Sequence, residues 1–294
     1  MELRKASRKK AKIRLGLQGP SGSGKTYSSL LIAFGLCGDY SRVAVIDTES
    51  NSADLYSHLG EFKVLNLTAP FTPEKYKEAI QICEKAGVEV IIVDSLSHEW
   101  EGPGGILDIH NRMVGNSFTN WGKITPRHNA FVTAILRSGC HVIGTSRTKH
   151  DYVLSEKNGK MVPEKVGLKA VQRENLEYDF TLVFDLDTNT CARASKDRTG
   201  MFIGTGEEQL SIEIGQQIAA WCNEGTEPKN VVQDILILIA TSDSVEDLLV
   251  IFKSHPDYQD ELLPKFTERR SYLEGIGISK TNLKNQTNGT INSQ

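Results

Sequence analysis

In VEVIIVD, Val88 to Asp94, apolar residues run without interruption from Val90 to Val93 and stop at a carboxylate. KIRLGLQG (Lys12 to Gly19), RVAVID (Arg42 to Asp47), FKVLNL (Phe62 to Leu67) and CHVIGTSR (Cys140 to Arg147) also read as strands. Runs this short, β-branched and lacking alternation predict strands buried on both faces. Between them lie segments of helical period: KTYSSLLIAFGLC, FTPEKYKEAIQICEKAG and PRHNAFVTAILRSG. The second is well bounded, with Thr72 as N-cap, Pro73 in the first turn and Gly87 as a stop. Alternating strands and helices predict an α/β fold with a mainly parallel sheet between helices. YDFTLVFDLD, TCARASK and GMFIG read as later strands that extend the sheet antiparallel, and SIEIGQQIAAWCNEG as a closing helix. The pattern places one α/β domain over residues 1–226, led by a basic arm at 1–11. NVVQDILILIATS, SVEDLLVIFKSHP and KFTERRSYLEG then form a small helical unit over 227–278. The polar residues 279–294 lack large apolar groups and read as a disordered tail.

Composition changes this picture little. The net charge of -3 hides a basic stretch, Arg4 to Arg14, so overall charge does not point to nucleic acid. Cys37, Cys83, Cys140, Cys191 and Cys222 include no CxxC pair and read as reduced thiols. No apolar run is long enough to span a membrane, and the basic start is not followed by the apolar stretch of a signal peptide. The expected location is the cytoplasm, without membrane contact.

The chemistry starts at GPSGSGKT, Gly19 to Thr26, which fits GxxxxGK[ST] with a strand before it and a helix opening inside it. Backbone N–H groups of Gly19, Pro20, Ser21, Gly22, Ser23 and Gly24, proline excepted, would cradle phosphates at a helix N-terminus, with Tyr27 just beyond. Lys25 would reach the β- and γ-phosphates of ATP, and the Thr26 hydroxyl would bind Mg²⁺. Asp94, at a strand's carboxyl end, is the natural second holder of Mg²⁺. Many such enzymes place a water-activating glutamate directly after that aspartate, but here the next residue is Ser95. Two carboxylates compete for the role. Glu49, just past the strand that follows the P-loop helix, is preferred, and Glu99 in DSLSHEWEG is the alternative.

The P-loop, a glutamate after the second strand, the Asp-Ser pair and the polar strand end GTSR together resemble the RecA-like core, as opposed to the AAA+ type in which glutamate follows aspartate directly. More closely, GPSGSGKTYSSL, VIDTESNSADLY, IIVDSLSHEWEGPGGIL, HVIGTSRTKHDYV, VGLKAVQRENLEYDF and ASKDRTGMF are similar to phage-encoded RecA-core ATPases of single-strand annealing and recombination, over about Lys12 to Ile203. The resemblance implies a Mg·ATP site at Gly19, Gly24, Lys25, Thr26 and Asp94, with Glu49 as general base. It implies that Thr145, Ser146 and Arg147 sense the γ-phosphate. Lys196 and Arg198 would enter a neighbouring subunit's ATP site, in a ring or filament with composite sites. The P-loop strand begins within the first dozen residues, so the resemblance does not extend to the polymerisation domain of bacterial recombinases and leaves ring against filament, and strand exchange, open.

Single-stranded DNA is the implied substrate. In a RecA-like core the loops after the aspartate strand and after the sensor strand face the central axis. The first carries Arg112, Phe118, Trp121, Lys123 and Arg127, the second Lys149, Tyr152, Lys157, Lys160 and Lys165, with Arg173 at its end. Cations and aromatics on flexible backbone are what single-strand binding uses. Trp121 serves either as a stacking platform or as a residue buried on the next helix. Arg173 serves either a phosphate or an ion pair with Glu174 or Glu177. Two other readings stay open. One is a nucleotide-gated interaction module whose C-terminal helices recruit a partner such as a single-strand-binding protein. The other is a small-molecule kinase, which would need an arginine-rich lid that these loops lack.

Overall fold

The computed structural model describes residues 10–157, 160–224 and 231–287. The chain divides into two compact units, Met1–Thr226 and Glu227–Gln294. The expected basic arm lies mostly outside the described residues.

In the first unit, β1 (Arg14–Gly19), β2 (Val43–Asp47), β3 (Lys63–Asn66), β4 (Val90–Asp94) and β7 (Leu182–Leu186) join the first part of β5 (His141–Lys157) in a parallel sheet. β8 (Cys191–Asp197) and the two-residue β9 (Glu208–Gln209) add antiparallel edges, giving the order β3-β2-β4-β5-β1-β7-β8-β9. This is the α/β architecture that the apolar runs predict.

Alternation along each strand explains the two-sided burial. Leu15 and Leu17 of β1, with Val90 and Ile92 of β4, pack beneath α1 (Lys25–Cys37) and α6 (Ile212–Asn223). Ile91 and Val93 point the other way, onto α2 (Pro73–Lys85) and α5 (Ser117–Arg137). Each fully buried aliphatic side chain contributes about 1.5–3 kcal/mol of transfer free energy. A register slip of one residue would invert both faces at once, which fixes where each strand tip ends. Thr72 caps α2 by accepting from the Lys75 N–H, as expected from the sequence.

Four local expectations are corrected. The first glycine-rich "loop" is largely helical: α3 (Ser97–Glu101), α4 (Ile106–Arg112) and α5, which starts at Ser117 because Asn116 caps it. Pro126 lies inside α5, so the proline did not mark its start. The second "loop" is a hairpin, in which β5 continues past Arg147 and pairs antiparallel with β6 (Lys160–Ala170). GMFIG forms turns, not a strand, because the Asp197 carboxylate collects the N–H groups of Thr199, Gly200 and Phe202 and curls the chain around itself.

The second unit packs α7 (Val231–Thr241), α8 (Val245–Ser254) and α9 (Gln259–Thr287) around Ile235, Ile239, Leu248, Leu262 and Phe266. α9 runs helical through Thr287, into the segment expected to be disordered, with no proline after Pro264 to stop it. Residues 288–294 lie outside the described residues.

Candidate functional site

β5 is inserted between β1 and β4, so the P-loop, the sensor strand and the aspartate strand end side by side. The P-loop needs its glycines. A Cβ on Gly19 would lie 2.5 Å from Ser23 Oγ and 2.8 Å from Leu186 O. Gly24, at φ 80°, caps α1 in left-handed backbone, and a Cβ there would meet Thr190 of the β7–β8 turn at 3.2 Å. Lys25 Nζ donates to Gly19 O (2.9 Å) and Pro20 O (2.8 Å). Burial lowers the Lys25 pKa, while Asp94 and Glu49 oppose that shift. Tyr27, 40% exposed in the first turn of α1, tilts against Tyr56 at 5.8 Å between ring centroids.

Asp94 is the centre of the arrangement. Thr26 Oγ1 donates to its Oδ2 at 2.5 Å, and Thr145 Oγ1 on β5 donates to its Oδ1 at 2.6 Å. Burial pushes the Asp94 pKa up, and the two hydroxyls push it back down. The peptide bond between Asp94 and Ser95 is cis.

Glu49 and Glu99 part company here. Glu49 stands at the tip of β2 on a turn organised by Asp47, whose carboxylate accepts from Glu49 N (2.6 Å) and Ala53 N (2.8 Å). Its side chain is 27% exposed, and its Oε1 meets Arg147 Nε at 3.0 Å and Nη2 at 2.9 Å. Both members of that pair act electrostatically on Lys25. Glu99 is 0% exposed, and its carboxylate lies on His128 Nδ1 of α5 at 3.0 and 3.2 Å. Burial pushes the Glu99 pKa up against the pull of His128.

The residues present fit Mg·ATP. Ser23 Oγ is buried in the P-loop without a partner among the described residues, the glycines leave a cradle, and Thr26 with Asp94 offers the hard oxygen donors that Mg²⁺ takes. No cluster of three or more His, Cys, Asp or Glu suited to another metal occurs among the described residues.

A second feature lies beside this site. Trp100, Trp121, Lys149, Lys169, Gln172 and Arg173 line a cavity of about 590 Å³. Trp121 stacks on His110 (4.4 Å) and on Trp100 (5.9 Å) and is only partly buried, so it packs against both rings while part of it lines the cavity. The ladder sets Lys149 directly opposite Lys169, and like charges so placed repel unless an anion joins them. Lys169 reaches Glu174 at 2.5 Å, which takes that acid away from Arg173. Arg173 makes no ion pair among the described residues.

The other expected strand contacts are placed elsewhere. Arg112 pairs with Asp108 one helical turn away at 2.8 Å. Arg127 grips both oxygens of Glu74, at 2.7 and 2.8 Å, and so is drawn onto α2 by a nearby acid that its sequence neighbourhood does not reveal. Lys123 is exposed on α5. Tyr152 lies on β5 opposite Lys165, and its side chain lies outside the described residues. Lys196 and Arg198 sit level with the start of β7 and of β1, away from this chain's own Lys25. Lys196 Nζ donates to Glu177 O (3.1 Å) and Tyr178 O. Sequence reasoning missed Asp47, Trp100, Lys169 and Gln172. Asp47 alone had a signal, as the carboxylate that ends an apolar strand.

Residues 11–211 match a protein family described as an AAA domain, more than half of the chain, and the chain belongs to that family. The match bears out a P-loop NTPase domain, and Ser95 follows Asp94 within it. No curated protein matches the chain. No helix among the described residues is long and apolar enough to cross a membrane.

Proposed function

We propose that this AAA-domain protein is a Mg²⁺-dependent ATPase that acts on single-stranded DNA in phage-type recombination, annealing or repair, in the cytoplasm and as an oligomer with composite ATP sites. The convergence of Thr26 and Thr145 on one Asp94 carboxylate, beside the Glu49–Arg147 pair and Lys25, carries the ATP reading.

Thr26 and Asp94 would hold Mg²⁺, which when bound neutralises charge on the transferring phosphates. Lys25 adds a fixed cation at the mouth of the loop. Asp47 fixes the turn so that Glu49, partly open to solvent, can orient a water and take its proton at the carboxylate. Arg147 holds that carboxylate in an ion pair, and a γ-phosphate would compete for the same guanidinium. Phosphate recognition and release of the base are thereby linked. Lys196 and Arg198, remote from this chain's own P-loop, suit donation to a neighbour's site.

The strand reading is supported by the gathering of Trp121, Lys149 and Arg173, three residues distant in sequence, on one cavity. Stacking surfaces with flanking cations bind unpaired nucleotides without sequence preference. Steady-state hydrolysis should rise with oligo(dT), and the stimulation should fade as salt rises. Normal ATP turnover indifferent to oligo(dT) would favour a nucleotide-gated interaction module. The exposed Leu249, Val250, Leu263 and Tyr272 of the helical unit suit that second reading.

A further inference from the structure

Helix α3 has only five residues, yet both ends of it are tied. Toward the ATP site, Leu96 N donates to Thr145 O at 2.8 Å, Ser97 Oγ accepts from Arg147 N at 2.9 Å, and His98 Nδ1 shares a 2.8 Å hydrogen bond with Thr48 Oγ1. Thr48 immediately precedes Glu49. The start of α3 therefore grips the β5 backbone at Thr145 and Arg147 and the side chain of the residue before Glu49.

The other side of α3 faces the cavity. Trp100 stacks on Trp121 and meets His128 edge-on at 5.8 Å. The Glu99 carboxylate sits on His128. Gln172 donates to Leu96 O at 2.8 Å, pulls the Glu99 pKa down from the cavity side, and accepts the Arg173 N–H at 2.8 Å. A buried carboxylate is tolerated only where partners hold it: here His128 braces Trp100 of the cavity wall from behind, and Gln172 lines the cavity itself. A base pressing on Trp100, or a phosphate drawing Arg173, would have to move α3 as one body.

Resting on the single-strand reading of the cavity, we propose that Glu99, through His128 and Gln172, is the positioning residue that couples the aromatic cavity to the ATP site, with α3 as the moving part. It is a positioning residue and not a base, since its carboxylate meets α5 and not the P-loop lysine. Coupling of this kind is reciprocal: nucleotide changes affinity for the strand by the factor by which the strand changes affinity for nucleotide.

The test compares the affinity of a fluorescent oligo(dT) with and without Mg²⁺ and a non-hydrolysable ATP analogue, using the full chain. The parent is expected to show a difference of about tenfold. Glu99→Leu combined with His128→Leu removes both polar partners, and apolar replacement of a buried pair is compatible with folding. This variant should still bind oligo(dT) alone and the analogue alone, each within about threefold, while the nucleotide effect falls to about one. Glu99→Gln keeps the hydrogen bonds and should keep the effect, a rescue that loss of packing alone would not give. His98→Phe, which keeps the ring stack on Phe71 and cuts the tie to Thr48, should lose it from the other end and serves if the double variant does not fold. A double variant or His98→Phe with the full nucleotide effect overturns the inference, as does a parent whose strand affinity ignores nucleotide. A parent that binds the analogue but no oligo(dT) at all overturns the strand reading itself.

Discussion

Two glutamates follow two neighbouring strand tips, and the fold treats them oppositely. Glu49 stands partly open beside Arg147 and within the field of Lys25, while Glu99 is sealed on His128. A general base needs a water within reach and a proton acceptor that stays charged. Glu49 keeps solvent contact beside a cation, whereas burial takes water from Glu99 and pushes its carboxyl pKa up. Helix α5 repeats the lesson with adjacent residues: Arg127 turns outward to Glu74, and His128 turns inward to Glu99. What a carboxylate can do is set by the element it meets, more than by its distance from a motif.

The sharpest way to break this comparison is to neutralise each acid in turn. Glu49→Gln should cut kcat for ATP about 10²–10⁴-fold. Its affinity for Mg·ATP should stay within about threefold, since no uniform binding contact is lost. Glu99→Gln should leave basal hydrolysis within about threefold, because it touches no reacting atom. Single-turnover kinetics with nucleotide binding on the same samples decides the matter, and an inverted result would exchange the two roles.

Stability separates them next. His128→Leu leaves the Glu99 carboxylate buried without its partner, at a cost of about 3–5 kcal/mol. Adding Glu99→Leu should return most of that loss, since an apolar pair of similar volume is often neutral. Urea midpoints of the single and double variants measure the difference. A single variant as stable as the double would mean that the pair is not the anchor its burial implies.

The difference between the two acids was half visible in the chain itself. The P-loop and Asp94 are local patterns, in which glycine and lysine spacing and an apolar strand ending in acid dictate the backbone. Glu49 was placed by the rule that ligands sit at strand carboxyl ends. The cavity could not be read that way. Trp100 reaches it from β4's end, Lys149 and Lys169 meet only through the β5–β6 register, and Gln172 arrives after the hairpin returns. The segments around Arg112 and Tyr152 looked like loops because glycines and charges interrupt their periodicity. Caps at Asn116 and pairing across the ladder supply order that no single-segment pattern reveals. Long-range pairing, not composition, built the part of the site that was missed.

The smallest effect tests the outward half of the α5 comparison. Hydrogen bonding from Arg127 holds the Glu74 carboxyl down at about 2, from an ordinary 4.5. Its side chain is 56% exposed and that of Arg127 is 37% exposed, so solvent screens the pair and Arg127→Ala should cost only about 0.2–1 kcal/mol at neutral pH. A depressed carboxylate contributes stability that is fully present above its unfolded pKa and lost as pH falls through the folded one. The gap in urea midpoint between parent and Arg127→Ala should therefore be constant above about pH 4.5 and close as pH falls toward 2. Added salt should shrink it as well, since an exposed pair is screened over about 10 Å at 0.1 M ionic strength. A gap that grew on acidification would place Arg127 against a different acid and would remove the outward partner from the comparison.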